Sequence, residues 1–436
     1  MSNGTDPRAD ARHPRGLYLL FAVEAWERFS YYGMRALLVL YMTKVLMFST
    51  EEAGTVYGWY TGLVYLTPLI GGYIADRWWG QRFCIMLGGL LMALGHFAMA
   101  FPPLPFFFSA LVLLIIGNGF FKPNISTVVG QLYEKDDPRR DGGFTIFYMG
   151  INLGAFFSPL ICGTLGEKVG WHWGFGAAGI GMLAGVIIYM LAGEKYLGDK
   201  GKKPAKLTAA ERAANNQPLT LEEKRQVAVI FIMAFFMIFF WAAFEQAGSS
   251  MTLFAEHSTN RMIPFVAWEL PTSWFQSVNP LLIFLLAPLF SSMWLGMYKR
   301  EIEPSSPIKF VYGLVLLALG FVVMIAAAAA YDAGGPVSLF WLLAAYLLHT
   351  LGELCLSPVG LSLVTKLAPA TFGSLMMGVW LSSSALANLV GGLFAGNYDN
   401  MEHTLFFAIP VATAGGAALM LLILTPMLKK WMNGVH

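Results

Sequence analysis

Apolar residues along this chain fall in long blocks, not at amphipathic spacing, and short polar clusters separate the blocks. A bilayer's hydrocarbon core needs about 20 apolar residues in a helix, and these blocks match that length. The pattern predicts twelve spans, at about 17–46, 52–75, 82–101, 105–132, 142–166, 173–193, 225–256, 268–298, 308–330, 338–367, 371–397 and 403–431. One long polar segment, GEKYLGDKGKKPAKLTAAERAANNQPLTLEEK, lies between the sixth and seventh. The predicted organisation is a cytoplasmic tail (1–16), a six-helix bundle (17–193), a cytoplasmic linker (194–224), a second six-helix bundle (225–431) and a cytoplasmic tail (432–436). Thr208 with Glu211 and Thr220 with Glu223 fit the S/T-x-x-E capping box. The first predicts a short surface helix in the linker; the second predicts the start of span seven.

Composition agrees. The 436 residues are 57% hydrophobic and 12% charged, where a soluble domain is nearer a quarter charged. The expected class is an all-α, multi-pass membrane protein surrounded by lipid. The formal net charge of +2 says less than where the charges sit. Arg77, Arg82, Arg139, Arg140, the lysines of the linker, Lys299, Arg300, Lys366, Lys429 and Lys430 fall on one side of a twelve-span arrangement. Lys44, Lys168 and Arg261 fall on the other. The positive-inside rule then puts both termini in the cytoplasm, in the plasma membrane, which is the inner membrane of a Gram-negative cell. The basic residues form no extended face, so nucleic acid is not an expected partner. Cys84, Cys162 and Cys355 lie in predicted spans without zinc or disulfide spacing and read as small apolar fillers. The first span follows Arg8, Arg12 and Arg15 like a signal peptide, but it is too long and too charged, and it reads as a retained helix.

The two halves look like remote copies. LTPLIGG in span two matches LAPLFSS in span eight, aligning Pro68 with Pro288. GNGFFKP in span four matches GELCLSP in span ten, aligning Gly117 with Gly352 and Pro123 with Pro358. WERF and FEQA align Glu27 with Glu245. Three matches in the same order predict two pseudo-symmetric halves, an architecture of transporters.

Charges inside the spans carry the chemistry. Glu24, Glu27, Arg28, Tyr31, Tyr32 and Arg35 fall within about 140° of arc at 100° per residue. A charge at mid-membrane costs about 2.5–3.5 kcal/mol on insertion scales, so charges gathered on one face are expected to line a wet cavity and pair with one another. Lys122 in span four, Glu245 in span seven and Glu353 in span ten complete the set. The first half holds an excess of cation and the second only carboxylates. A solute with separated ammonium and carboxylate groups, such as an amino acid or peptide, would bridge them. One carboxylate is left without a partner; burial disfavours its charged form, which points to a proton as coupling ion and to no other cofactor. The competing reading is a set of structural ion pairs. His349 and Glu353, four residues apart, have no third metal ligand at suitable spacing, and His96 and His349 read as hydrogen-bonded structural residues.

EAWERFSYYG resembles the ExxERFxYYG pattern of the proton-dependent oligopeptide transporters, a branch of the major facilitator superfamily. FYMGINLGAFFSPLICG is similar to that family's FYxxINxG signature, FFKPNIS to its span-four lysine motif and GELCLSPVGLS to its span-ten glutamate motif. GGYIADRWWGQR is similar to the superfamily's loop between spans two and three. The resemblance implies the major facilitator fold and a proton-coupled symporter that imports di- and tripeptides by alternating access, working as a monomer. It implies proton coupling through Glu24, Glu27, Arg28, Lys122 and Glu245, the last exchanging partners with Arg35. It implies that Arg28, Arg35 and Lys122 hold the peptide carboxylate. Glu353, with Asn152 and Asn279, would hold the amino end. Tyr31, Tyr32, Tyr65, Trp241, Ser357 and Trp380 would join Glu245 around the peptide. Helix packing is the alternative for each aromatic, and interhelical hydrogen bonding for Asn152 and Asn279. Two departures stand out: the linker is too short for the two additional helices of many bacterial members, and Gly58 stands where animal members carry a proton-handling histidine.

Other readings remain. The architecture fits nitrate or a drug-like cation, but the anionic second half disfavours the first and the Arg and Lys residues the second. No nucleophile elbow or HExxH set supports an intramembrane enzyme. A non-transporting receptor fits poorly with duplicated halves and buried charges.

Overall fold

The computed structural model describes residues 12–134, 137, 139–202, 204, 219–263, 267–369 and 373–433. It is helical nearly throughout. In chain order the helices are α1 (Arg15–Lys44), α2 (Thr50–Ile74), α3 (Gln81–Met99), α4 (Leu104–Gln131), α5 (Arg140–Ser158), α6 (Trp171–Leu197), α7 (Leu221–Phe244), α8 (Ser250–His257), α9 (Val278–Lys299), α10 (Ser306–Gly334), α11 (Phe340–Leu367), α12 (Gly373–Ala395) and α13 (His403–Trp431). With α7 and α8 as one broken span, these are the twelve expected. Ten helical stretches among the described residues are long and apolar enough to cross a membrane. The exceptions are α1, with its four mid-helix charges, and α2, with polar residues along its length. Both still exceed the roughly 20 residues a crossing needs.

Local chemistry explains the ends. Thr220 and Glu223 form the expected capping box at α7: the Glu223 N–H donates to Thr220 Oγ1 at 3.2 Å, and the Thr220 N–H donates to Glu223 Oε2 at 2.8 Å. Thr208 and Glu211 lie outside the described residues. Two elements differ from expectation. Span seven is not continuous: a 3₁₀ turn, Glu245–Gly248, separates α7 from α8. The span expected from 268 starts as a 3₁₀ turn at Thr272. Before it, β2 (Met262–Ile263) pairs antiparallel with β3 (Trp268–Glu269), while β1 (Thr259–Asn260) pairs in parallel with β4 (Val337–Ser338). Prolines 68, 123, 288 and 358 sit inside helices without ending them; bilayer helices tolerate proline because neighbours re-satisfy the freed backbone groups.

The chain divides into two compact units. The first comprises Met1–Met34 and Thr67–Lys206, the second Arg35–Leu66 and Leu207–His436. In the first, α3 packs on α4 and α6. A Cβ on Gly88 of α3 would sit 2.5 Å from the carbonyl oxygen of Gly117 on α4, so only glycine allows that approach. The second unit repeats the device: a Cβ on Gly352 of α11 would sit 2.7 Å from the carbonyl oxygen of Gly313 on α10. Gly117 and Gly352 are the residues that the repeat aligns. The second unit also takes in the last third of α1 and the first two-thirds of α2. There Gly54 packs so close to α12 that a Cβ would lie 2.5 Å from the Gly396 nitrogen. Lys44 pairs with Glu256 and Thr50 donates to Asp399 at the same end. Leu191, Leu289 and Ile423 are exposed, as lipid-facing side chains are.

Candidate functional site

In the first unit the charges of α1 are gathered as their spacing predicts. Glu27 has no solvent exposure, and Glu24 and Arg28 are buried beside it. Arg28 Nε donates to Glu24 Oε1 at 2.7 Å and lies 2.7 Å from Glu27 Oε2. Asn118 of α4 donates from Nδ2 to Glu27 Oε1 at 3.2 Å. One turn on, half-buried Lys122 is close enough for its charge to act on Glu27. The Arg28 guanidinium lies 5.8 Å from the centroid of the Tyr31 ring, and Tyr32 meets Tyr31 edge-on at 5.2 Å. Arg28 Nη2 and Glu24 Oε2 are buried with no hydrogen-bond partner among the described residues. Asn152 donates within α5, to the Tyr148 carbonyl at 3.1 Å.

In the second unit Arg35 forms a buried ion pair with Glu245, the first residue of the break in span seven. Arg35 Nε also donates to the Tyr57 hydroxyl at 2.8 Å. The break suits this contact: a Cβ at Gly248 would run into that hydroxyl. Glu353 is 8% exposed and accepts from Asn279 Nδ2 at 2.8 Å; the same nitrogen lies 3.0 Å from Thr350 Oγ1. Asn279 thus does bond between helices, and it also orients a carboxylate. Among the described residues no Lys or Arg pairs with Glu353, so its charge is held by an amide alone. Trp241 is half-buried on α7, Ser357 on α11 and Tyr65 on α2. Trp241 Nε1 and Ser357 Oγ are buried without a hydrogen-bond partner among the described residues. Trp380 is 2% exposed, edge-on to Phe310 at 6.1 Å and over Gly360.

Three partners escaped the sequence reading. Asn118 lies one turn before Lys122 in GNGFFKP, so its helical spacing from that lysine was the available signal. Tyr57 and Thr350 gave none, because each is selected by a neighbouring helix. Of the intramembrane histidines, His96 lies 3.2 Å from the Ser30 hydroxyl, the structural role expected. His349 is packed against Gly320 and the Phe321 ring, 4.6 Å away.

The family model described as PTR2, POT family, matches residues 82–209 and 203–413. A peptide transporter of Yersinia enterocolitica is 38% identical, with 97% of this chain and 96% of that protein aligned. Its alignment extends over 494 positions, more than the 436 residues here, so the relative carries segments this chain lacks. A di-/tripeptide transporter of Lactococcus lactis is 33% identical over 97% of both chains. Among solved structures, a peptide transporter POT in complex with sulfate superposes with a TM-score of 0.89 at 35% identity, covering 97% of this chain and 96% of the other. A POT family transporter in complex with 5-aminolevulinic acid gives a TM-score of 0.89 at 32% identity, covering 95% and 97%. These relatives are transporters, not enzymes. On a major facilitator fold matched along nearly its whole length, this chain belongs to the POT family.

Proposed function

We propose that this protein is a proton-coupled symporter that imports di- and tripeptides by alternating access. One observation carries the assignment. Polar atoms of Arg28, Trp241 and Ser357, all expected at the peptide, are buried without hydrogen-bond partners among the described residues. A buried polar group left unpaired costs about 1–3 kcal/mol, more when charged. A zwitterionic peptide rich in amide donors and acceptors supplies such partners.

In this reading Arg28, Arg35 and Lys122 take the peptide carboxylate. Glu353, oriented by Asn279 and joined by Asn152, takes the ammonium. Tyr31, Tyr32, Tyr65 and Trp380 shape the surroundings of the side chains. The proton is carried by Glu24, Glu27 and Glu245. Its arrival on Glu245 weakens the hold on Arg35, and on Glu27 the hold on Arg28, so the cations turn to the peptide. Loss of the proton inside restores the ion pairs and expels the peptide. A neutral zwitterion with one proton carries one positive charge inward, favoured by about 2.3 kcal/mol per 100 mV. The protein works as a monomer in the plasma membrane, with both termini cytoplasmic.

The test is uptake of labelled dialanine into proteoliposomes driven by a pH gradient. Unlabelled di- and tripeptides compete; free amino acids and N-blocked peptides do not. Absence of gradient-driven uptake from an orientation-checked preparation refutes the assignment. A second reading is favoured by the relative bound to 5-aminolevulinic acid: another small zwitterion with well-separated charges. Competition by that compound, with none by dialanine, would establish it.

A further inference from the structure

In the second unit a pocket of about 540 Å³ is lined by Tyr298, Glu303, Ser306, Lys309, Pro358, Val359, Ser362 and Lys366. Lys309 is 8% exposed, paired with Glu303, and its Nζ lies 4.7 Å from the centroid of the Trp294 ring. That indole also lines a second cavity, a wholly apolar trough of about 430 Å³ between α9 and α10, with Phe290, Met293, Met297, Tyr312 and Val315 along it. The polar pocket, through Lys309, and the apolar trough, through Trp294, therefore lie next to each other, on a surface whose neighbouring side chains Leu295, Tyr298 and Leu319 are exposed.

Two orphaned groups point to a ligand. Trp294 Nε1 is buried with no hydrogen-bond partner among the described residues. So is Ser305 Oγ at the start of α10, where the serine stands at the N-cap without capping. Trp294 lines the trough and Ser305 stands beside Ser306 of the polar pocket, and both can donate. The N-terminus of α10 adds its partial positive charge. Glu303, the acidic residue among those lining the pocket, is paired with Lys309. A free inorganic anion explains the polar pocket but leaves the trough without purpose. A fatty acyl chain explains the trough but not the lysines.

We propose that an anionic phospholipid binds here, its phosphate against Lys309 and Lys366 and one acyl chain in the trough between α9 and α10. Charge complementarity selects the headgroup, because basic pockets between transmembrane helices favour anionic lipids. Trp294 and Tyr298 mark headgroup depth, where aromatic residues concentrate. The lipid fastens α9 to α10 and α11.

Native mass spectrometry of the full chain in detergent tests this. The protein is titrated separately with dioleoylphosphatidylglycerol, dioleoylphosphatidylcholine and inorganic phosphate. Phosphatidylglycerol is expected to bind in a single saturable step that phosphatidylcholine and phosphate do not reproduce. Lys366→Gln removes one exposed charge and is expected to weaken it about fivefold. Val315→Trp fills the trough, leaves the charges intact and is expected to weaken it as well. Circular dichroism melts confirm that both variants fold, and Lys430→Gln, outside the pocket, is the charge control. Equal retention of the two lipids overturns the proposal. So does undiminished phosphatidylglycerol binding in both folded variants, or binding of phosphate as strong as that of the lipid.

Discussion

Glu27→Gln separates proton coupling from peptide movement. Glutamine has the shape of a protonated glutamate and keeps an oxygen for the Asn118 amide, now 3.2 Å from Glu27 Oε1. It removes one of the two carboxylates 2.7 Å from Arg28 Nε. Glu24 stays, so the guanidinium keeps a counter-ion. The loss is then the difference between a charge-assisted contact of about 1.5–3 kcal/mol and a neutral one of about 1 kcal/mol, not the larger cost of about 3–5 kcal/mol for stranding a buried charge. The protein should fold and still exchange peptide. What it loses is the drive: each pH unit across the membrane supplies about 1.4 kcal/mol per proton, a tenfold concentration ratio, and an uncoupled carrier only equilibrates. Paired assays in proteoliposomes read this directly, one for accumulation under a pH gradient and one for counterflow without it. Counterflow near the wild-type rate with no accumulation is expected. Accumulation above the external concentration, or equal loss of both activities, refutes the reasoning.

Tyr57→Phe deletes the hydroxyl that accepts from Arg35 Nε at 2.8 Å; a loss of about 1.5–3 kcal/mol is expected, seen as a lower melting temperature, while Glu245 keeps Arg35 paired. Gly54→Val places side-chain atoms where even a Cβ lies 2.5 Å from the Gly396 nitrogen. A destabilisation of about 1–3 kcal/mol is expected from overpacking, and a cysteine at position 396 should label faster in that background. Lys44→Gln breaks a partly exposed ion pair with Glu256, and Arg261 still holds that carboxylate at 3.2 Å. At most about 1 kcal/mol is expected, and less in high salt. Outside the spans, hydrogen bonds from Arg139 push Asp137 down to about 2. A depressed carboxylate contributes above its ordinary pKa and loses that contribution as pH falls through the lowered value, so the contact is intact from pH 5 to 8. Asp137→Asn is expected to leave the pH profile of uptake unchanged over that range; a shifted profile refutes this.

Much of the molecule was legible in the sequence, because lipid imposes strict rules on a chain. Backbone groups cannot go unpaired in hydrocarbon, so long apolar blocks must become helices, and all twelve spans were readable. Helical geometry then put Glu24, Glu27, Arg28 and Arg35 on one face, and the repeat aligned Gly117 with Gly352, two glycines at close helix contacts. Tertiary structure alone decided the partners. Nothing in a one-dimensional pattern brings Tyr57 to Arg35, Asn118 to Glu27 or Thr350 to Asn279, since each contact joins residues on different helices. The break at Glu245–Gly248 was hidden for the same reason: the hydropathy of the segment does not show it, and Tyr57 of another helix packs against Gly248 there. Nor could linear order show that residues 35–66 pack with the C-terminal half. That assignment depends on glycine-sized gaps opposite α12, and such complementarity exists only once the helices meet.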